Sequence, residues 1–311
     1  MRKNHFLIGL FATTFFFISC GSNESITDTG DNGGGDVTNM NKNTISTGQP
    51  KEIARLEFPK LKGGTSDVIV HSTSAYGMTY ALEWDHTLRS QRWSCFEIYK
   101  SNNVKNWSRS GWDKTSWRGD PFQKDPLVPK DEQPNVKGEF SGSYYKGIGS
   151  FYERGHICAS EDRVYSKDAN EQTFYMTNMQ PQVGNLNEKI WSEMEATVRG
   201  WASSADTLYV CKGGTIDSND KIVDHTKSGF IVPRYFFMAV LAKNSLGYKA
   251  MGFWIKHLDV DQRSKGVTSF VVNIDDLEQK TGIDFFCNLP DDVESKVEGL
   301  SVDKVKIAWG L

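Results

Sequence analysis

The chain has 311 residues, of which 38% are hydrophobic and 24% charged, so it can bury a sizeable core and is not a disordered protein. Its formal net charge of −3 excludes a globally basic nucleic-acid binder. Any function on nucleic acid would therefore depend on a local basic site.

The first 20 residues predict export. Arg2 and Lys3 precede an apolar run over residues 6–18, which is shorter than the ~20 residues that a membrane-spanning helix needs. The run ends at Ser19-Cys20-Gly21, which resembles a bacterial lipobox, although Phe17 stands where Leu is usual. The resemblance implies lipid attachment to Cys20 and a protein anchored to the cell envelope, at the outer membrane or cell surface. An ordinary signal peptide with an incidental cysteine, and thus a periplasmic protein, is the alternative.

Residues 21–55 predict a flexible linker. They are rich in Gly, Ser, Thr, Asn and Asp and have almost no large apolar side chains, so they cannot bury enough surface to offset the entropy of ordering. The domain division is then a signal peptide at 1–20, the linker at 21–55 and one folded domain at 56–311.

The folded part predicts an α+β domain with a mostly antiparallel sheet, because long strand patterns dominate and helices are few. A polar stretch at 101–145 is typical of surface loops. Helices are expected at 185–201, with Ile190, Met194 and Val198 on one stripe, and at 274–280, ending near Gly282. The expected strands cover residues 68–70, 78–84, 93–99, 151–158, 173–177, 207–211, 231–241, 248–255 and 268–272.

The cysteines leave their pairing open. If Cys20 carries lipid, four others remain, and an exported chain can oxidise them in three alternative pairings. No Cys-x-x-Cys pair is present, which disfavours a structural zinc site. The four are Cys95, Cys158, Cys211 and Cys287.

Candidate chemistry begins at Glu153-Arg154-Gly155-His156. An imidazole can take a proton from water, and the neighbouring guanidinium of Arg154 suits a phosphate. A structural histidine at a strand end is the alternative interpretation of His156.

A second group lies on the predicted helix at 185–201. Asn187, Trp191 and Glu195 have the spacing i, i+4, i+8 and so share one helix face. The amide oxygen of Asn187 in the first turn could coordinate Mg²⁺, which needs few protein ligands. The alternative is an N-terminal helix asparagine, a buried tryptophan and a solvated glutamate.

Taken together, these residues resemble the ββα-metal motif of the DNA/RNA non-specific endonuclease family, which includes the Serratia nuclease and endonuclease G. That family carries Asp-Arg-Gly-His, then Asn-x-x-Pro-Gln, Asn, Trp and Glu at fixed spacing. The chain departs at Glu153, where the family usually has Asp, and at Cys158, where many members have Ala or Pro. The resemblance covers roughly residues 65–290, and its matching residues are Arg154-Gly155-His156, Asn178-x-x-Pro181-Gln182, Asn187, Trp191 and Glu195.

The resemblance implies hydrolysis of phosphodiester bonds in DNA and RNA with little sequence preference. His156 would be the general base, and Asn187 would bind Mg²⁺, or Mn²⁺ in its place. The other implied site residues are Arg154 and an upstream arginine, for which Arg118 is the candidate, to hold phosphate; Glu195 to hold a water of the metal site; and Asn178 to fix the loop that aims His156.

Two other functions compete with this one. A lipoprotein of the same fold could bind nucleic acid at the cell surface without cutting it. A different metallohydrolase could use His71, His86 and His156, although these are scattered and no His-Glu-x-x-His motif is present.

Overall fold

The computed structural model describes residues 38–112, 121–140 and 151–311. Cys20, the predicted signal peptide and Arg118 lie outside these ranges. The described strands are β1 (Ser66–Thr73), β2 (Gly77–Asp85), β3 (Ser90–Tyr99), β4 (Glu153–His156), β5 (Met179–Gln182), β6 (Thr207–Gly214), β7 (Ile222–His225), β8 (Ile231–Pro233), β9 (Tyr235–Asn244), β10 (Gly247–Lys256) and β11 (Val271–Val272).

Helices connect and cover these strands. The α-helices are α1 (Lys167–Gln172), α2 (Ser192–Trp201), α3 (Ile274–Thr281), α4 (Asp291–Glu298) and α5 (Val302–Trp309), and a π-helix (Asn185–Trp191) runs directly into α2. None of the helices in the described ranges has the length and apolar character to span a lipid bilayer.

A central antiparallel sheet organises the domain, with strand order β1-β2-β3-β6-β9-β10-β11. Both of its faces are buried, because successive side chains alternate between two hydrophobic cores. On β6, Leu208 and Val210 enter one core, and Tyr209 and Cys211 enter the other. Helices α2 and α5 cover the first core, and α3 and α4 cover the second. The predicted α+β class with a mostly antiparallel sheet is confirmed.

Helix boundaries follow the local sequence. The apolar stripe of Ile190, Met194 and Val198 is buried in the first core, as the spacing predicted. Asn273 caps α3 by accepting from the Asp276 N–H at 2.8 Å, and Gly282, with a φ of 74°, ends it. The helix predicted at 185–201 is present, but its first half is π-helical.

Three of the predicted strands are misplaced, interrupted or largely replaced by a turn. The segment expected at 173–177 has its strand later, at β5, because residues Met176–Asn178 form a 3-10 turn. The segment at 231–241 divides at Arg234, where the chain leaves its pairing with β7 and joins the central sheet as β9. Most of 268–272 is a 3-10 turn, Val267–Phe270, and only β11 is extended.

Residues 38–55 belong to the predicted linker, yet the structure places them against the domain. The Asn39 amide donates to the Leu289 carbonyl at 2.6 Å, and the Asn43 amide donates to the carbonyls of Ile53 and Pro59 at 3.1 and 3.0 Å. Ile53 is fully buried. Polar side chains thus hold this stretch by hydrogen bonds, which a count of apolar residues does not detect.

Candidate active site

The site is built by a ββα unit beside the central sheet. β4 and β5 pair antiparallel, with Glu153 opposite Gln182 and His156 opposite Met179. The chain then turns at Gly184 into the π-helix, which places Asn187 near its start. Because Glu153 lies opposite the end of β5, it lies close to the beginning of the helix.

A buried histidine holds the bend between β5 and the helix. The Val183 N–H donates to Nε2 of His257 at 2.9 Å, and the opposite ring nitrogen, Nδ1, donates to the Pro233 carbonyl at 2.8 Å. Burial lowers the pKa of His257 to about 4, so the ring stays neutral and can accept at Nε2. The sequence did not indicate this role, since His257 lies 74 residues from Val183.

The ββα unit opens onto a cavity of about 610 Å³. His156 at the end of β4 and Asn187 in the helix both line it, together with Glu153 and Arg154. Two residues predicted to act on one phosphate therefore face the same space, although 31 positions separate them in the sequence.

Asn187 is oriented by Glu153. Its amide nitrogen donates to Oε2 of Glu153 at 2.7 Å, which leaves the amide oxygen as the atom available to a cation. Burial raises the pKa of Glu153, while the hydrogen bond from Asn187 opposes that rise. The carboxylate retained at this position thus holds the amide, despite having a longer arm than the family's usual Asp.

His156 lies in an aromatic and cationic environment. Its ring centroid is 5.5 Å from that of Phe122 and 5.2 Å from that of Phe174, and its buried Nε2 has no hydrogen-bond partner among the described residues. Burial, together with the charges of Arg109, Lys212 and Arg154, lowers the pKa of His156 to about 3. The imidazole is therefore neutral near pH 7, which is the form that a general base requires.

Arg154 forms one wall of the cavity. Its guanidinium lies 3.7 Å from the centroid of the Phe122 ring and donates to the Val136 carbonyl at 3.0 Å. These contacts come from the 121–140 stretch, which the sequence indicated only as surface loops. Phe122 and Phe140 in that stretch are in fact buried.

Asn178 fixes the segment that follows His156. It is fully buried, and its amide donates to the carbonyls of Cys158 and Thr173, both at 2.8 Å. Its Oδ1 accepts from the Cys158 N–H at 2.9 Å. The N–H and the carbonyl of Cys158, two positions after His156, are thus both held by the Asn178 side chain.

Glu195 does not line the cavity. Its Oε1 accepts from Nζ of Lys212 at 2.5 Å, and Lys212 is almost fully buried, with its Nζ 4.9 Å from the centroid of the Trp191 ring. Lys212 is also one of the cations that act on His156. Sequence reasoning missed Lys212, because its pairing with Glu195 depends on how the helix lies across β6. The predicted contact of Glu195 with a water of the metal site stays a prediction.

Other cations at the cavity were also missed. Arg109 and Lys137 line it, and the guanidinium of Arg109 lies 5.0 Å from the centroid of the Phe174 ring. Arg118, the predicted upstream phosphate ligand, lies outside the described residues. Two tryptophans, Trp107 and Trp112, flank Arg109 in the sequence and are a weak signal that could have pointed to it.

The histidine triad of the alternative metallohydrolase does not form a site. Nε2 of His71 lies 2.9 Å from Asp125, and His86 lies between Glu132 and Asp67 at 2.6 and 3.2 Å. Neither histidine lines the cavity that contains His156. Within the described ranges, no cluster of possible metal ligands includes these histidines.

The four cysteines of the described domain, Cys95, Cys158, Cys211 and Cys287, are all buried and unpaired. Cys95 and Cys211 lie opposite one another on β3 and β6. Burial raises the pKa of the Cys158 thiol to about 12. Cys158 is therefore an inert packing residue next to the site.

The fold and the cavity together define an α+β domain with a ββα unit at its candidate active site. A family model for DNA/RNA non-specific endonucleases matches residues 66–292. The chain therefore belongs to the DNA/RNA non-specific endonuclease family. The family and enzyme class that the sequence indicated are confirmed.

Individual relatives support the same assignment. The chain is 25% identical to a nuclease from Nostoc sp. over 226 residues, which are 70% of this chain and 75% of the relative. It is 28% identical to nuclease C1 from Cunninghamella echinulata over 192 residues, or 56% and 76% of the two chains. It is 25% identical to mitochondrial endonuclease G from Homo sapiens over 180 residues, or 55% and 60%.

A solved structure shows the same fold. The crystal structure of a complex between EndoG and EndoGI aligns with a TM-score of 0.61 at 21% identity. The alignment covers 83% of this chain and 100% of that chain.

Proposed function

We propose that this protein is an exported endonuclease that hydrolyses DNA and RNA with the help of Mg²⁺, or of Mn²⁺ in its place, at the cavity between β4 and the π-helix. The observation that carries the proposal is that His156, Asn187 and Arg154 line one cavity. A base, an oxygen donor for a cation and a planar cation for phosphate are the groups that this hydrolysis needs.

The residues at the cavity fit a hard divalent cation. Asn187 offers an amide oxygen whose orientation is fixed by Glu153, and Mg²⁺ binds oxygen ligands while retaining several waters. Asn187 would hold the ion directly, and Glu153 would keep the amide in place. When bound, the ion supplies positive charge that neutralises the phosphate and the leaving oxygen.

His156 is suited to remove a proton from a water that attacks phosphorus. Its pKa is lowered to about 3, so the ring is neutral, and Nε2 has no competing hydrogen-bond partner among the described residues. Asn178 holds the backbone behind the ring, which limits how far the imidazole can move. Arg154 and Arg109 carry the charges that bind the phosphate.

Low sequence preference follows from the kind of contact. Guanidinium groups and a metal ion bind phosphate oxygens, which every nucleotide presents, so the contacts carry no base information. The same argument applies to DNA and RNA, because the phosphodiester is common to both.

A cleavage assay on supercoiled plasmid and on ribosomal RNA tests the proposal. The purified protein with Mg²⁺ should cut both, EDTA should abolish cutting, and His156→Ala should lose about 10²- to 10⁴-fold in rate, the usual contribution of a general base. Tight binding of both substrates without turnover under Mg²⁺ or Mn²⁺ would instead identify a binding lipoprotein of the same fold.

We also propose that Cys20 carries lipid and anchors the protein to the bacterial cell envelope. The pattern of residues 1–21 supports this placement. Expression in a bacterial host with labelled palmitate should label the wild type and fail to label Cys20→Ala. A labelled Cys20→Ala variant, or an unlabelled wild type, would contradict lipid attachment at this residue.

A further inference from the structure

Three carboxylates converge where α3 meets the end of α4, on the side of the second core. Asp275 and Glu278 are one turn apart on α3, and Glu298 is the last residue of α4. One oxygen from each lies within 4.8 Å of the others. Oδ2 of Asp275 also lies close to Gly299, because a Cβ added there would be 3.2 Å from that oxygen.

The innermost member, Glu298, has an unpartnered oxygen. The residue is 5% exposed, and its buried Oε1 has no hydrogen bond to any described residue. Oε1 of Glu278 accepts from the Phe285 N–H at 2.7 Å. In the described part of the chain, no lysine or arginine forms an ion pair with Glu298, Glu278 or Asp275.

Such an arrangement is costly for a folded protein. A buried carboxylate without a hydrogen bond or a counter-charge loses the solvation it has in water, and nearby carboxylates add repulsion. The cluster also lies between the first half of α3 and the last residue of α4, so the repulsion opposes the packing of α3 on α4. A cation placed among the oxygens would reverse both effects.

We propose that Asp275, Glu278 and Glu298 bind a divalent cation of the calcium class, at a site separate from the catalytic cavity. Ca²⁺ takes oxygen ligands at 2.3–2.6 Å, so two ligands on opposite sides of the ion lie up to about 5 Å apart, which accommodates the observed separation. Asp275 is exposed, so the site is open to solvent on that side. A hydrated ion can enter there and contact the buried Glu298. The bound ion ties α3 to α4.

Calcium binding is measured best in the Asn187→Ala background, which removes the proposed metal ligand at the catalytic cavity. Equilibrium dialysis with radioactive Ca²⁺ gives the stoichiometry, and a thermal melt with and without millimolar Ca²⁺ gives the stabilisation. We expect one ion per chain and a rise in Tm of about 3–5 °C at calcium well above Kd.

Substitutions in the same background locate the site. Asp275→Asn and Glu298→Gln should each lose the bound ion and the shift in Tm, whereas Asp303→Asn, an exposed acid on α5, should keep both. Because Asp275 is exposed, its variant should fold even if the Glu298 variant does not. The proposal fails if the Asn187→Ala protein binds no Ca²⁺, or if the Asp275 variant binds it as tightly as its parent. Neither readout depends on nuclease activity.

Discussion

The protonation state of His156 determines whether its imidazole can act as a base near neutral pH. Burial beside the rings of Phe122 and Phe174, together with three nearby cations, opposes a positive charge on His156. The neutral form is therefore retained to a lower pH than in a free histidine, whose ordinary pKa is 6.5. The uncharged imidazole is therefore available as a base throughout the pH range around 7.

This environment predicts a pH profile. The kcat/KM for a short fluorescent DNA should show no loss as the pH falls from 8 to about 5, because His156 protonates only near its lowered pKa of about 3. Rates should be measured at saturating Mg²⁺, with far-UV circular dichroism at each pH to exclude unfolding. An acid limb centred at 6.5 would show that the imidazole is not shielded from protonation.

A second prediction concerns the carboxylate that orients Asn187. Glu153→Gln keeps the size of the side chain but removes its charge. A carboxylate can only accept from the Asn187 amide, whereas a glutamine amide can donate or accept, so it no longer fixes which way the Asn187 amide points. The Mg²⁺ concentration for half-maximal cleavage should rise about 10- to 100-fold, the range typical when the partner of a metal ligand is changed.

The matched control for this variant is Glu193→Gln, which removes an exposed glutamate from α2. It should change the Mg²⁺ requirement less than about twofold. An unchanged requirement in Glu153→Gln would mean that Asn187 is held by other contacts.

At the scale of elements, the pairing of β4 with β5 requires a glycine at position 155. A Cβ added at Gly155 would lie 2.3 Å from Cδ of Gln182, which is fully buried and cannot move aside freely. Gly155→Ala should therefore destabilise the domain by about 1–3 kcal/mol and reduce cleavage, because His156 follows directly. Urea unfolding, with activity measured on the folded fraction, tests both effects.

Gly200 provides the control for that change. It lies in α2, and a Cβ there meets no atom of the described residues within 4 Å. Gly200→Ala should be stabilising by about 0.5–1 kcal/mol, since alanine favours a helix interior over glycine. Equal effects of the two substitutions would show that close packing at Gly155 is unimportant.

Elements with a clear period could be predicted from the sequence, and contacts between elements could not. The strand patterns at β2, β3 and β6 predicted their type, and the stripe of Ile190, Met194 and Val198 predicted a helix and its buried face. The turn that replaces the strand expected at 173–177 depends on the buried amide of Asn178, which bonds to Thr173 within the turn and to Cys158, 20 positions away in the sequence.

The residues of the candidate site also divide into those that the sequence could predict and those that it could not. His156, Arg154 and Asn187 follow from spacing within one ββα unit, and all three line the cavity. Arg109 and Lys137 reach it from loops, which have no period that fixes a side chain in space. Lys212 is a buried cation on a central strand. A lysine is rarely buried without a partner, and the sequence does not show that Glu195 pairs with it.

For the whole molecule, a net charge of −3 must be reconciled with a polyanionic substrate. Three cations, Arg109, Lys137 and Arg154, line the cavity beside two carboxylates, Glu153 and Glu188, so the formal charge of its lining is positive. If each cation neutralises one phosphate, the slope of log K against log salt for duplex DNA should be about −3. Binding measured without divalent metal, so that no cutting occurs, gives this slope.

Removing one of these cations should change the slope in a defined way. Lys137→Gln should make it shallower by about one, whereas Lys304→Gln, an exposed lysine on α5, should leave it unchanged. A slope near zero in the wild type would mean that the cavity is not where nucleic acid binds.

The central claim is that His156 and Asn187 act on one phosphate within one cavity. Single-turnover cleavage by the wild type, His156→Ala, Asn187→Ala and the double variant tests it most directly, with circular dichroism to confirm that each variant is folded. We expect each single change to lower the rate by at least about 10²-fold and the double change to lower it little further, because residues of one catalytic unit are strongly non-additive. Full multiplication of the two losses, or wild-type rates in either single variant, would contradict a shared site.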